Sequence, residues 1–541
     1  MIPPDHQLGR LRDRVFSDVQ APLSPITPFF PLCELRFRSL MRVTPESNLL
    51  AIMPPKVNLS SGKKTREIQY VCLSDMHLGE EDSLLTNLKT ASTEVDPFQP
   101  SPVMIQLVEC IKALLKGQSA KPTLVLNGDI LEMALTTDNQ AAMVFERFVE
   151  LIMPDGGELF DRVIYIPGNH DHHLWESARE TQYVNFIAQI APGSPLDIPW
   201  HTTNLFVDKD KDLIPLYFPT RLIQRYPHLK DRIIAAAYPN YGVLSKDGKR
   251  CVVFSHGHFI ESLYRLMGNV MRMIFPDQKI PEYVWNVEAL NFAWIDFFWS
   301  TMGRSGEVGR DVEIIYEKMR DKEAFKKLLH NLANSLARKL DLPGWGDKME
   351  ATILKFAFNA AVECAYATER KKGDRLLSPE AEKGLWWYVN GPLRHQIDNE
   401  CKEKEFPVPT EVTFVFGHTH KPFQEDMNFK EYTGWVDVYN TGGWVVETVD
   451  PQPLHGSGIV LVDEDLNAVS IRMYNETPDL IGYPVRVEEA IHGGEKPNPL
   501  SQDIRGKINF GNDPWKSFSE AAGRAVRVRA QNLRARINER Q

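Results

Sequence analysis

Five stretches decide the fold: IQYVCLSDMH at residues 68–77, TLVLNGD at 123–129, RVIYIPGNHD at 162–171, CVVFSHGH at 251–258 and TFVFGHTH at 413–420. Each stretch is an apolar run that ends in a side chain able to bind a metal ion. The runs are rich in β-branched and aromatic residues, which is typical of buried strands. Because ligands gather at the carboxyl ends of strands in open α/β sheets, the five blocks predict one convergent metal site.

The candidate ligands offer carboxylate, amide and imidazole groups and no thiolate. Donors of this kind suit divalent Mn, Fe, Zn or Ni. There are more of them than one ion needs, and two ions that share a carboxylate and a water would use them all. The candidates are Asp75, His77, Asp129, Asn169, His256, His418 and His420.

The composition sets limits on the class of protein. The chain has 541 residues, of which 43% are hydrophobic and 25% charged, as in ordinary globular proteins. Its net charge of −10 provides no general surface for nucleic acid, so such binding would need a local basic patch. The six cysteines form no Cys-x-x-Cys pair, and no signal core or membrane span is visible, so we expect a cytoplasmic protein.

The order of patterns predicts an α/β core that is interrupted once. Residues 1–66 form an extension without clear periodicity, and strand-like runs alternate with helical patterns from 67 to 260. Helical patterns then dominate 261–408, which we interpret as an inserted cap. Strands return at 409–484 and are expected to lie edge to edge as one run. Residues 485–541 form a polar tail whose Arg-rich end reads either as a solvated helix or as a contact for an anion, membrane or partner.

The five blocks resemble those of the calcineurin-like metallophosphoesterases, which read D-x-H, G-D-x-x-(D/E), G-N-H-(D/E), H-G-(H/D) and G-H-x-H. The resemblance spans about residues 70–445 and implies a four-layer αββα sandwich, here with a large helical insertion. It also implies one ion held by Asp75, His77 and His420 and a second held by Asn169, His256 and His418. Asp129 would bridge the two ions, among which we expect manganese first and accept iron, zinc or nickel.

The same resemblance assigns roles around the two ions. His170 would contact the phosphate or protonate the leaving oxygen, and Asp171 would orient the ring of His170. Glu132 would anchor a loop or hydrogen-bond a neighbouring ligand, whereas the role of His258 stays open. His172 and His173 are interpreted as ordinary polar residues without a role in the site. Residues 439–444 are expected to support the last block.

Substrate choice depends on the insertion, which holds six of the eleven tryptophans. These aromatic residues form either the core of the cap or a wall for an acyl chain, a nucleobase or a membrane surface. Enzymes that cleave UDP-2,3-diacylglucosamine are distantly similar, since they share G-D-x-x-E and G-H-T-H-(R/K)-P. They carry Arg at the position of His170, Asp at that of His258, and a far shorter insert, so their substrate is not adopted.

These observations predict a metal-dependent phosphohydrolase in which a bridging hydroxide attacks a phosphodiester or a pyrophosphate. A nuclease built on the same core is one alternative, although the acidic balance counts against nucleic acid. A scaffold that keeps the fold without turnover is the other. The sequence leaves the natural substrate and the oligomeric state open, together with contact to a lipid or a membrane surface through the cap.

Overall fold

The computed structural model describes residues 66–539 apart from 91, 198, 208–212, 276, 278–281, 297–299, 301–374, 478–482 and 492–497. The predicted extension, except Arg66, and the middle of the predicted insertion lie outside the described residues. The described chain is mixed α/β, with two mixed sheets and flanking helices. No helix within these ranges is long and apolar enough to cross a bilayer.

The strands of the described residues are numbered in chain order. They are β1 (Ile68–Leu73), β2 (Thr123–Leu126), β3 (Arg162–Tyr165), β4 (Ile214–Pro215), β5 (Ile234–Ala236), β6 (Asn240–Leu244), β7 (Arg250–Ser255), β8 (Glu411–Phe416), β9 (Phe423–Met427), β10 (Val436–Asn440), β11 (Gly456–Asp463), β12 (Ala468–Asn475) and β13 (Arg486–Glu488). The first sheet has the order β13-β12-β11-β1-β2-β3-β5-β4, and the second has the order β6-β7-β8-β10-β9. The strands that precede the five blocks pair in parallel, β1 with β2 and β2 with β3 in one sheet, and β7 with β8 in the other.

The helices are numbered in the same way. They are α1 (Pro102–Leu115), α2 (Asp138–Ile152), α3 (His173–Ile187), α4 (Tyr217–Ile223), α5 (Leu266–Ile274), α6 (Val284–Ile295), α7 (Pro379–Tyr388), α8 (Arg394–Glu403), α9 (Pro499–Lys507) and α10 (Trp515–Glu539). Helices α1 and α2 lie between the first three strands, in agreement with the alternation of strands and helices predicted for 67–260. Ser378 is the N-cap of α7, because its hydroxyl accepts a hydrogen bond from the backbone N–H of Ala381 at 3.2 Å.

Alternation along the strands divides the apolar side chains among three hydrophobic clusters. In β1, Val71 and Leu73 face the cluster that includes α1, α2 and α10, whereas Cys72 faces a cluster with residues of both sheets. In β7, Val253 faces a third cluster with α6, α7 and α8, and Val252 faces the shared one. Strands buried on both faces explain why the runs before the five blocks are almost continuously apolar.

Two sequence expectations about residues 409–541 were wrong. The strands after residue 409 do not form one run, because β8 and β10 belong to the second sheet while β11 and β12 belong to the first. The chain changes sheets after Asn440, through a turn in which Gly442 has a φ of +70°. The other correction concerns the polar tail, which contributes β13 to the first sheet. Its helices α9 and α10 pack against the hydrophobic cluster that includes α1 and α2.

The apolar face of α10 makes a testable contribution to stability. Phe518 is fully buried and its ring lies 6.2 Å from that of Trp444, whereas Phe510 is 63% exposed. We expect Phe518→Ala to lower the free energy of unfolding by about 3–5 kcal/mol, because the change leaves a cavity in the core. Phe510→Ala is the matched control and should change it by less than about 0.5 kcal/mol. Urea denaturation of the full-length chain measures both, and equal effects would contradict the docking of α10.

Candidate metal centre

The ends of five parallel strands bring the predicted ligands together. Asp75 and His77 follow β1, Asp129 follows β2, Asn169 follows β3, and the remaining three follow β7 and β8. One oxygen or nitrogen from each of Asp75, His77 and His420 lies within 4.8 Å of the others, and we name this group cluster A. Asp129, His256 and His418 form a second such group, which we name cluster B. Every one of these six residues is at most 1% exposed.

Asn169, also fully buried, joins cluster B through its side-chain oxygen. The Oδ1 atom of Asn169 lies 3.1 Å from Nε2 of His256, and Oδ2 of Asp129 lies 3.3 Å from the same nitrogen. In cluster A, Oδ1 of Asp75 lies 3.4 Å from Nε2 of His420. Ligand atoms about 2.1 Å from one ion are separated by about 3 Å, so these distances fit a shared cation.

The backbone is strained where the ligands sit. Among the residues that the structure describes, seven that are not glycine have a positive φ, and five of them are predicted ligands. The five are Asp75 at 48°, His77 at 43°, Asp129 at 50°, His418 at 68° and His420 at 56°. A left-handed backbone costs an L-residue about 1–2 kcal/mol, and such residues concentrate at functional sites.

Two glycines of the blocks allow the backbone to approach the ligand carboxylates closely. A Cβ atom on Gly417 would lie 2.1 Å from Oδ2 of Asp75, and one on Gly168 would lie 2.2 Å from Oδ1 of Asp129. Any side chain at these positions would displace a carboxylate. The glycines of G-N-H-D and G-H-T-H are therefore required by the space around the ligands.

The imidazoles of cluster A are held by carboxylates on the nitrogen that faces away from the cluster. Nδ1 of His77 lies 2.7 Å from Oε2 of Glu132, and Nδ1 of His420 lies 3.1 Å from Oε1 of Glu447. This leaves Nε2 of each ring directed at the carboxylates of the centre. The Nε2 atom of His77 is buried and makes no hydrogen bond to any described residue, as expected of a metal-binding nitrogen.

Cluster B has similar outer partners. Nε2 of His418 lies 3.0 Å from Oε1 of Glu261, which makes Nδ1 the nitrogen available to an ion. Nδ1 of His256 lies 3.2 Å from the backbone oxygen of Asn127. Sequence reasoning missed Glu261 and Glu447, because neither belongs to a block. The only available signal was their position, three residues after His258 and three after Trp444.

Burial and the neighbouring charges shift the pKa values of the centre. Burial by itself raises the pKa of Asp129, but the neighbouring imidazoles outweigh it and hold this pKa well below its usual range. Burial also lowers the pKa of His77 despite the hydrogen bond to Glu132, which favours the neutral ring that binds metals. Both protonation states are those that a cation requires.

The role expected of Asp171 was wrong. Its Oδ2 accepts hydrogen bonds from the Tyr165 hydroxyl at 2.5 Å and the Ile130 N–H at 2.8 Å, and its Oδ1 accepts one from the Gly168 N–H. Asp171 thus ties the second block to the third. Burial, reinforced by Asp129, raises its pKa to about 6.

Glu132 carries out the orienting role in its place. Its Oε1 lies 3.0 Å from Nδ1 of His170 and also accepts the N–H groups of Ala134 and Leu135, both at 2.8 Å. Because its other oxygen binds His77, one buried carboxylate anchors a loop and fixes two rings. The sequence interpretation of Glu132 is therefore confirmed, and a role in positioning His170 is added to it.

The last block is supported as predicted by the segment that follows it. The Asn440 side-chain amide donates to the backbone oxygen of Gly417 and the hydroxyl oxygen of Thr419, both at 3.0 Å. The Trp444 N–H donates to the backbone oxygen of Asp75 at 3.0 Å.

His258, whose role was open, is buried with its Nε2 3.3 Å from the Tyr238 hydroxyl. His172 was expected to be plainly polar and is instead fully buried against Glu288.

Metal stoichiometry tests the two clusters. We expect the chelated full-length protein to rebind two Mn²⁺ ions, and His77→Ala and His256→Ala each to lose one, because each removes a ligand from one cluster. Asp129→Asn should weaken both, since this carboxylate contacts a ligand of each cluster. Isothermal titration with elemental analysis measures the number of ions. His395→Ala, on an exposed ring of α8, is the control and should bind two.

The outer carboxylate of cluster A provides a second test. Glu132→Gln removes the charge that fixes the rings of His77 and His170 while keeping the shape of the side chain. We expect the affinity for one ion to fall about 10–100-fold, the usual effect of losing such a partner. Glu146→Gln is the matched control, because Glu146 is buried in α2 and pairs with Arg225. Equal affinities in all three proteins would contradict the orienting role.

Comparison with known proteins assigns no function to these clusters. No family model and no curated protein matches this chain. The assignment of the clusters as groups that could hold metal ions therefore depends on their geometry.

Proposed function

We propose that this protein is a metal-dependent phosphohydrolase of the calcineurin-like metallophosphoesterase type, which cleaves a phosphodiester or a pyrophosphate at a centre of two divalent ions. The observation that carries the proposal is the position of Asp129 between the clusters. Its Oδ2 lies 3.3 Å from Nε2 of His256 in cluster B and 3.8 Å from Nε2 of His77 in cluster A. One carboxylate oxygen beside ligands of both clusters suits a pair of ions about 3.5–4 Å apart.

The arrangement of the core supports the family resemblance. One hydrophobic cluster contains residues of both sheets, and two further clusters each join one sheet to helices. A four-layer helix–sheet–sheet–helix sandwich would have this distribution, with the candidate ligands at the same end of both sheets. We therefore propose that architecture, together with a helical insertion between β7 and β8.

The chemistry follows from the donor set and the buried position. Two ions bound here would acidify a water molecule between them and offset the negative charge of the phosphoryl oxygens. The protein's own part is to hold the ligand oxygens and nitrogens in place and to keep bulk water away from them. Burial strengthens each of these electrostatic interactions.

His170 is the residue placed to move a proton. Its ring centroid lies 4.8 Å from that of His77, and its backbone N–H donates to Oδ1 of Asp129 at 2.8 Å. Because Glu132 holds Nδ1, the nitrogen left for the substrate is Nε2. We infer that a protonated Nε2 contacts a phosphoryl oxygen or delivers its proton to the leaving oxygen.

The two alternative functions fit the structure less well. A nuclease would use the Arg-rich C-terminal helix, but Arg529 donates to the backbone oxygens of Ser83 and Thr86, and Arg536 pairs with Glu81 and Asp82. Both of these arginine side chains already have partners within the chain. A scaffold without turnover would have no need for a buried proton donor such as His170 beside the ligands. Cytoplasmic location and lipid contact through the insertion stay predictions.

Ester hydrolysis tests the proposal. We expect the Mn²⁺-loaded protein to hydrolyse bis-p-nitrophenyl phosphate faster than p-nitrophenyl phosphate, since a diester offers groups on both sides of the phosphorus. Chelation and Asp129→Asn should abolish the activity. His170→Ala should lower kcat about 10²–10⁴-fold while two ions remain bound, because it removes only the proton donor.

The control is His395→Ala, which should match the wild-type rate. Absence of turnover with Mn, Fe, Zn and Ni, in a protein that binds two ions, would refute hydrolysis of simple esters and favour the scaffold. Salt-sensitive cleavage of oligonucleotides that exceeds cleavage of the small diester would instead favour the nuclease.

A further inference from the structure

The loop that carries Asn169 is joined directly to the inserted helices. His172 is fully buried in this loop, and its Nε2 lies 2.9 Å from Oε1 of Glu288 in α6. The N–H of His173 donates to the Ser300 hydroxyl at 2.8 Å, and its Nδ1 lies 3.1 Å from Oδ1 of Asp296. The residues that follow the third block thus contact the insertion at three points.

Glu288 also reaches the fourth block. Its second oxygen accepts a hydrogen bond from the Tyr238 hydroxyl at 3.0 Å, and that hydroxyl lies 3.3 Å from Nε2 of His258. The ring centroid of His258 is 5.6 Å from that of His256. A single buried carboxylate of the insertion therefore contacts the surroundings of two ligands of cluster B.

His418, another member of cluster B, has a contact of its own with the insertion. Glu261, at the start of the insertion, lies 3.0 Å from His418. By contrast, the outer partners described for His77 and His420 in cluster A are Glu132 and Glu447, both from the core. Among the described residues, the insertion thus supports the cluster B side of the centre.

His172, Glu176 and Glu288 could be taken for a third metal site, since their ligand atoms lie within 4.8 Å of one another. Their charges are already balanced. Glu176 accepts two hydrogen bonds from Arg179, at 2.6 and 3.2 Å. Burial lowers the pKa of His172, but Glu288 and Asp296 outweigh it and raise that pKa to about 10. Because His172 already pairs with Glu288 and Arg179 with Glu176, we assign no third ion to this group.

We propose that Glu288 is a positioning residue for cluster B, so that ion binding there and docking of α6 on the core stabilise each other. The coupling runs through His172 to the Asn169 loop and through Tyr238 and His258 to His256. Ion binding and docking of α6 are then thermodynamically linked. An ion that stabilises the docked position of α6 binds more tightly when α6 is docked. The inference depends on the metal centre and not on the reaction proposed for it.

The physical cause of the coupling is the buried ion pair between His172 and Glu288. Removal of one partner leaves the other charge buried without compensation, which is strongly destabilising. The structure can relieve this by moving the Asn169 loop or by undocking α6. Either movement displaces ligands of cluster B and leaves the partners of His77 and His420 in place.

The test is Mn²⁺ titration of the full-length Glu288→Gln protein. We expect the affinity for one of the two ions to fall about tenfold or more, as when the outer partner of a metal ligand is lost. Glu400→Gln is the matched control. Glu400 is a buried carboxylate of α8 that accepts the N–H groups of Leu205 and Phe206, remote from the third block. It should bind both ions with wild-type affinity.

A double-mutant cycle assigns the affected cluster. Glu288→Gln should have no further effect on Mn²⁺ binding in an Asn169→Ala background, where cluster B is already impaired, and its full effect in a His77→Ala background. Hydrogen exchange gives a second measurement. Mn²⁺ should slow amide exchange across 284–295 in the wild type and leave it unchanged in Asn169→Ala, which a merely structural role for Glu288 would not produce.

Unchanged affinity for both ions in Glu288→Gln would overturn the coupling, as would exchange across 284–295 that does not respond to Mn²⁺. Loss of a third bound ion in this variant would overturn it too, by assigning a metal to the cluster of His172. A wild-type protein that binds no ion would overturn the metal centre and the coupling together. The predicted affinity loss would support the coupling even in a protein that hydrolyses no ester, so the two proposals can fail separately.

Discussion

The buried charge of Asp129 is the constraint on which the rest of the centre depends. This carboxylate is completely buried and lies between the two clusters in a left-handed backbone conformation. A buried charge is costly unless it is paired or binds a metal. The N–H of His170 and the ring of His256 contact this carboxylate directly. The backbone oxygen of Asp129 accepts a hydrogen bond from the His77 N–H, which holds the second block to the first. Gly168 also packs closely against this side chain, as Gly417 does against Asp75 in cluster A.

A layer of glutamates surrounds the imidazoles and determines which nitrogen of each ring faces the centre. Glu132 and Glu447 hold the Nδ1 atoms of three rings, whereas Glu261 holds the Nε2 atom of a fourth. The direction of a ring is thus decided by residues outside clusters A and B. This layer has two origins, because Glu261 and Glu288 come from the inserted segment and Glu132 from the core. The inserted segment therefore contributes directly to the surroundings of cluster B.

The sequence errors concern strand pairing, helix packing and the direction of one side chain. The strands β8, β10, β11 and β12 have similar apolar patterns, and only the turn after Asn440 sends the last two to the other sheet. The Arg-rich helix α10 looked solvated because its apolar positions, such as Phe518 and Val526, are spaced among arginines. The function assigned to Asp171 failed because adjacency in sequence does not indicate direction, and its oxygens turn toward Tyr165 and the backbone. The errors about the strands and about α10 thus concern long-range contacts, whereas the error about Asp171 concerns the direction of one side chain.

The sequence by itself determined the α/β class, the helices α1 and α2, and the seven side chains that meet at the strand ends. It could do so because strand periodicity and the position of a polar residue after an apolar run are local properties. Only the tertiary structure decided which glutamate holds each imidazole, that Glu132 and not Asp171 orients His170, and that His172 is paired with Glu288. Those partners are separated by as many as 157 residues along the chain, as with His418 and Glu261. No local pattern encodes a contact of that kind, because it exists only when the two segments fold against each other.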